Sequence, residues 1–269
     1  MKTVYVDNAA TTAMNDVAVA AMTPYLKEVY GNPSSLHTVG QIAKERLEKF
    51  RAEIAGCLNC DPREIYFTSG GSESDNQAIN SAAYNGALKG KKHIVTTAFE
   101  HHAVLHTLKK LEKQGYEVTY LGVDANGLIT AEQVAAAIRP DTALVTVMFA
   151  NNEIGTILPI AQIGAVCRER RVTFHTDAVQ AVGHIPVDVK AQNIDMLSLS
   201  AHKIHGAKGV GALFVRRGIP LRTFVEGGAQ ERGRRAGTEN LAGIASMAAA
   251  LNYACANMQA TNEKLIKLR

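Results

Sequence analysis

The sequence predicts an α/β fold with a mostly parallel, seven-stranded sheet flanked by helices. Two observations carry this. Short apolar runs alternate with amphipathic helical stretches along most of the chain. The 269 residues, 46% hydrophobic and 20% charged, have the balance of a globular protein able to bury one large core.

Taken in order, the N-terminal run Met1-Lys2-Thr3-Val4-Tyr5-Val6-Asp7 reads as a short strand rather than a signal sequence. Ala43, Leu47, Phe50 and Ile54 recur at three- and four-residue spacing and mark a helix. Strands follow at 64–68, 93–97, 117–121, 143–149, 172–176, 196–200 and 210–215, with helices predicted at 73–84, 102–113, 131–138 and 161–170. Gly209-Val210-Gly211 leads into the last strand with no helix before it, a sign of reversed strand direction. From Asn240 one long helix runs almost to Arg269, with Leu241, Ile244, Ala248, Leu251, Cys255 and Met258 as its apolar stripe. Either Thr238 or Asn240 suits its cap. A terminal helix this long more often links two bodies than finishes one.

A net charge of +4 is too mild to argue for nucleic acid, and no apolar run approaches the length that crosses a membrane. Four cysteines in a chain of this size point to a reducing compartment, with the cytoplasm as the expectation.

Polar residues directly after buried strands fall in the crevice where α/β sheets bind ligands. Thr68-Ser69-Gly70-Gly71-Ser72-Glu73 joins a strand to a helix, so Gly71 and Ser72 suit a phosphate; alternatively the turn is simply capped by Ser72. It is neither a P-loop nor a dinucleotide fingerprint. His101, at the next junction, suits stacking on an aromatic ligand, whereas His102 and His106 resemble half a zinc site without a third ligand. Asn151-Asn152-Glu153 offers more polar groups than a turn requires. Asp177 comes straight off its strand, where a carboxylate keeps a pyridine nitrogen protonated, and Gln180 can donate to a phenolic oxygen. Lys203, in Ser200-Ala201-His202-Lys203, is the amine a carbonyl cofactor needs, with Lys208 a rival in a flexible stretch. Cys57-Leu58-Asn59-Cys60 reads as a helix end rather than a metal or redox motif, and Cys167 and Cys255 read as core. Arg232-Gly233-Arg234-Arg235 lacks the aromatics of an RNA surface and reads as a loop offering Thr238 and arginines to a small anion.

Together these motifs resemble the cysteine desulfurases of the NifS/IscS type, a class V aminotransferase-like branch of the pyridoxal phosphate enzymes. The likeness runs in order through Tyr5-Val6-Asp7-Asn8-Ala9-Ala10-Thr11-Thr12, Tyr30-Gly31-Asn32-Pro33-Ser34-Ser35, the turn at Gly71, Asn151-Asn152-Glu153-Ile154-Gly155, the lysine motif and Arg235-Ala236-Gly237-Thr238. It implies a fold-type I large domain over residues 16–258, with residues 1–15 an arm of a small domain and 259–269 the end of a linking helix. It also implies pyridoxal 5′-phosphate as cofactor, with Lys203 holding it covalently and moving the substrate α-proton. Asp177 would face the pyridine nitrogen, His101 stack on the ring, and Gln180 and Asn152 contact the phenolic side. Gly71, Ser72, Ser200 and His202 would bind the phosphate, and Thr238 would reach the phosphate of a neighbouring subunit in a homodimer.

The implied reaction converts L-cysteine to L-alanine and passes the sulfur, as a persulfide on a mobile cysteine, to an acceptor or iron–sulfur scaffold protein. That cysteine and the substrate-binding arginine belong, in this family, to a C-terminal small domain beyond the long helix. None of Cys57, Cys60, Cys167 or Cys255 occupies the corresponding place, so a C-terminally truncated and inactive form is expected. A cysteine lyase-like class V enzyme, or a non-catalytic cofactor-binding subunit, would share the cofactor site without needing that loop.

Overall fold

The computed structural model describes residues 3–269. Helices α1 (Asp16–Met22), α2 (Pro24–Lys27) and α3 (Thr38–Leu58) precede the first strand, β1 (Ile65–Thr68). The chain then alternates: α4 (Gly71–Ala87), β2 (His93–Thr97), α5 (His102–Glu112), β3 (Glu117–Leu121), α6 (Ala131–Ala137), β4 (Thr142–Thr146), α7 (Ile160–Arg170) and β5 (Thr173–Asp177). Strands β6 (Met196–Ser200) and β7 (Gly211–Val215) follow. After them come a short turn, α8 (Gln230–Gly233), and the long helix α9 (Leu241–Leu268).

The seven strands form one sheet in the order β1-β7-β6-β5-β4-β2-β3. Every pairing is parallel except those of β7, which runs antiparallel to both β1 and β6, as the helix-free approach to it suggests. Consecutive residues of a strand point to opposite faces. Ile94, Leu144, Met196 and Leu213 therefore pack with α4 and α5, while Val95, Val145, Leu197 and Phe214 join the larger core with α3, α7 and α9. With both faces covered, the strands read as near-continuous apolar runs.

Residues 3–7 form no strand, contrary to the sequence reading, and Met1 and Lys2 lie outside the described residues. A strand needs a ladder partner, and here the side chains of Val4 and Val6 are exposed. The segment instead enters a turn in which the Ala10 N–H donates to the Asp7 carbonyl at 3.2 Å. Helix α3 begins five residues before its apolar stripe, capped by His37, whose Nδ1 accepts from the Gly40 N–H at 3.4 Å. Strand β4 stops at Thr146, short of the apolar run, but Val147 and Phe149 still donate to the His175 and Asp177 carbonyls. Asn240, not Thr238, caps α9 by accepting from the Gly243 N–H at 3.0 Å. The stripe of α9 is fully buried only as far as Leu251; its far end leaves Leu265, Ile266 and Leu268 exposed. Among the described residues, no helix is long and apolar enough to cross a membrane.

Candidate functional site

The carboxyl ends of β5 and β6 and the turn between β1 and α4 surround a cavity of about 540 Å³. Nine of the ten residues singled out above line it: Gly71, Ser72, His101, Asn152, Asp177, Gln180, Ser200, His202 and Lys203. Thr238 does not. It lies in a separate small crevice with Ser69, Glu231 and Arg235.

One end of the cavity is the start of α4. Its N-cap is Gly70, which contributes no side-chain cap, so Ser72 is not the capping residue. Gly70 holds φ at +155°, a region open to glycine. A Cβ on Gly71 would lie 2.6 Å from Val179 Cγ2, so only glycine leaves that approach clear. An uncapped helix start presents unpaired N–H groups and the positive end of the helix dipole. Ser200 and His202 reach the cavity from the end of β6, and the His202 ring meets the Thr11 hydroxyl at 3.1 Å.

Asp177 ends β5 and is 5% exposed. Its Oδ1 accepts from the Val179 N–H at 3.0 Å. Burial pushes its carboxyl above the usual range, against the pull of that donor, His101 and Lys203. Burial pushes the Lys203 ammonium down, while Asp177 and Asp7 oppose that shift. Lys203 Nζ donates to the Ala9 and Ala10 carbonyls, the latter at 2.9 Å. Gln180 Nε2 donates to the Ala9 carbonyl as well, at 3.0 Å. The arm before α1 thus covers the lysine. Thr12 pins it: its N–H and hydroxyl both donate to the His202 carbonyl, and its oxygen accepts from the His205 N–H at 2.9 Å.

The two asparagines divide their tasks. Asn151 is buried and builds the turn, its Oδ1 accepting from Glu153 and Ile154 N–H, whereas Asn152 lines the cavity. His101 caps α5, accepting from the Ala103 N–H at 3.1 Å, with its ring at the cavity. His102 and His106 stand 5.1 Å apart, ring to ring, and no third ligand joins them among the described residues. Lys208 is exposed and outside the cavity.

The arginine loop departs from the expected anion grip. Arg235 pairs with Glu73 at 2.8 Å, tying this loop to the turn at Gly71, and Arg232 donates to the Ile65 carbonyl and lies over the Tyr66 ring. No cysteine lines the cavity. The Cys57 thiol donates to Asn252 Oδ1 at 3.2 Å between α3 and α9, and burial pushes the Cys60 and Cys167 thiols up to about 12. Sequence reasoning missed Asp75, which is buried and lines the cavity, and the buried Glu100 and His175. The available signal was polar side chains at positions the helix and strand patterns turn inward.

A model of the class V aminotransferase family matches residues 4–268. The cysteine desulfurase IscS of Methanosarcina thermophila is 52% identical over 268 residues, covering all of this chain and 66% of that protein. The chain therefore spans about two thirds of the length of such curated relatives. Among solved structures, a NifS-like protein superposes with a TM-score of 0.97 at 40% identity, covering 100% of this chain and 74% of its own. SspA in complex with cysteine gives 0.91 at 41% identity, covering 98% and 78%. Enzymes of this family depend on pyridoxal phosphate, and the residues present fit that group. The uncapped start of α4 suits a phosphate, the buried Asp177 a protonated pyridine nitrogen and the part-buried Lys203 an aldehyde. By its sequence, its sheet and this donor set, the chain belongs to the class V aminotransferase family, among its NifS-like members.

Proposed function

We propose that the chain carries the cofactor site of a cysteine desulfurase, which converts L-cysteine to L-alanine and hands the sulfur on as a persulfide. The observation that carries this is one cavity joining an uncapped helix start, a buried carboxylate and a part-buried lysine. Pyridoxal phosphate, when bound, supplies the electron sink that lets bonds around the amino acid's α carbon break. Gly71, Ser72, Ser200 and His202 hold the phosphate end. Asp177 would keep a proton on the pyridine nitrogen, and His101, Gln180 and Asn152 would hold the ring. Lys203 would hold the aldehyde end of the cofactor and move the proton at the substrate α carbon; its lowered pKa favours the neutral amine that this requires. The arm carbonyls of Ala9 and Ala10 hold Nζ at the cavity mouth until then.

Thr238, exposed and outside its own cavity, serves the phosphate of a second copy, which makes the working unit a homodimer. A cytoplasmic sulfur acceptor or iron–sulfur scaffold protein receives the product sulfur. Since no cysteine of this chain lies at the cavity, the purified 269 residues release little sulfide or alanine from cysteine on their own. The test is spectroscopic first. The purified chain turns yellow with pyridoxal phosphate and Lys203→Ala does not; a wild-type chain that stays colourless removes the enzyme reading altogether. Robust turnover by the isolated chain would remove the statement about sulfur release.

A further inference from the structure

Three buried acids lie together, two of them lining the cavity, and the chemistry proposed above uses one. Asp75, on α4, is 1% exposed and borders the cavity, yet its Oδ1 has no hydrogen-bond partner. One ligand atom each from Asp75, Asp177 and His101 lie within 4.8 Å of one another. Glu100 lies close by, accepting from the Thr97 hydroxyl and, at 3.0 Å, from the Met148 N–H. His175, on β5, places Nε2 3.6 Å from Asp75 Oδ1 but supplies no positive charge. Its ring nitrogens meet the Thr146 and Ser198 hydroxyls at 2.8 and 3.0 Å, and burial pushes its pKa down to about 3.

Two buried carboxyls this close do not both ionise. The proton's place follows from what each can reach. Asp177 has the Val179 N–H and the field of Lys203. Asp75 is backed by neutral His175, and burial together with the charges of Asp177 and Glu100 raises it well above the carboxylate range, against the pull of the Ser198 hydroxyl. We propose that Asp75 is a positioning residue that carries the single proton of the Asp75–Asp177 pair, leaving Asp177 as the anion on the cavity floor. This rests on the reading of the cavity as a pyridoxal phosphate site. It also gives α4 two tasks, because its first turn forms the phosphate end and the next residues set the charge at the other.

The test compares Asp75→Asn, which has the same shape and is always neutral, with Asp75→Leu, which cannot hydrogen-bond. Pyridoxal phosphate affinity is measured near neutral pH by titration of the intact chain. Asp75→Asn is expected within about threefold of wild type and Asp75→Leu roughly tenfold or more weaker. A second measurement needs no cofactor: urea unfolding from mildly acidic to mildly alkaline pH. Because the folded pKa of Asp75 lies above its unfolded value, wild type loses stability as pH rises from about 4 through the folded pKa. Asp75→Asn abolishes that part of the loss, so its advantage grows with pH. Glu100, Asp177, His101 and His175 face Asp75 and are the same in both proteins, so the difference reads the titration of the Asp75–Asp177 pair. The proposal is overturned if Asn weakens binding as much as Leu, or if the Asn-to-wild-type stability difference does not change with pH. If wild type binds no pyridoxal phosphate, the cofactor reading fails, while the unfolding series still shows whether the Asp75–Asp177 pair holds a proton through neutral pH. Should Asp75→Leu not fold, the Asn comparison with wild type decides alone.

Discussion

Replacing Glu231 by alanine tests the clamp that fixes the loop carrying Thr238. Arg51, in the middle of α3, makes two 2.8 Å bonds to the Glu231 carboxylate, and both side chains are 2% exposed. Glu231 Oε2 also accepts from the Phe67 N–H of β1 at 2.8 Å. The variant removes all three interactions and strands the guanidinium, which keeps Glu48 and the Ile65 carbonyl as partners. Removing one partner of a buried pair costs about 3–5 kcal/mol because the remaining charge stays buried. Unfolding entropy of about 2.1 cal/mol/K per residue over 269 residues turns about 4 kcal/mol into a fall in Tm of roughly 7 °C. Scanning calorimetry reads this directly. The double replacement Arg51→Met with Glu231→Leu recovers only part of the loss, since a buried pair exchanged for apolar groups is close to neutral but the Phe67 N–H stays without its acceptor. A fall below about 2 °C for Glu231→Ala would refute the reasoning, because solvent or Glu48 would then be neutralising Arg51.

Three further outcomes follow from the same geometry. Gly71→Ala forces Val179 aside and fills the phosphate end, so titration shows pyridoxal phosphate bound about tenfold more weakly while the far-ultraviolet circular dichroism is unchanged. Burial pushes Glu100 up to about 8, so wild type loses stability as pH climbs from the unfolded value of about 4.3 through that range. In Glu100→Gln, urea midpoints decline less over the same span. His175→Leu leaves the Thr146 and Ser198 hydroxyls unpaired and costs about 1–3 kcal/mol near neutral pH. That cost shrinks in unfolding experiments as pH falls below about 6.5, because buried neutral His175 loses its contribution to stability as the unfolded imidazole charges.

The sheet was legible because its central strands are covered on both faces, which makes runs such as Met196–Ser200 apolar and short. The reversal at β7 was legible from the missing crossover helix. Helices α1 and α2 were not, since seven and four residues are too few for an apolar stripe to repeat. Placement just after a strand brought Asp177, Lys203, His101 and Asn152 to one cavity, yet it did not separate Asn151 from Asn152. That separation depends on which amide oxygen folds back onto its own turn. Arg235 looked free because Glu73, its partner, is 162 residues away in sequence. Asp75 was hidden for a related reason: an acid inside a helix reads as solvated until the sheet behind it is in place.

The arm before α1 shows how far the site depends on chain-distant groups. Lys203 is fixed by the Ala9 and Ala10 carbonyls, 194 and 193 residues upstream, and Gln180 shares the first of them. An ammonium held by two carbonyls is a poor nucleophile, because its lone pair carries a proton. Burial works the other way, lowering the pKa, and Asp177 opposes burial. Whatever draws Nζ off those carbonyls also removes acceptors that favour the charged form, so release and activation of the lysine are one event. The cavity therefore prepares Lys203 by lowering its pKa, so that the ammonium proton passes to solvent. It needs a ligand that occupies Asp177 and leaves the amine as the nearest group to its carbonyl carbon.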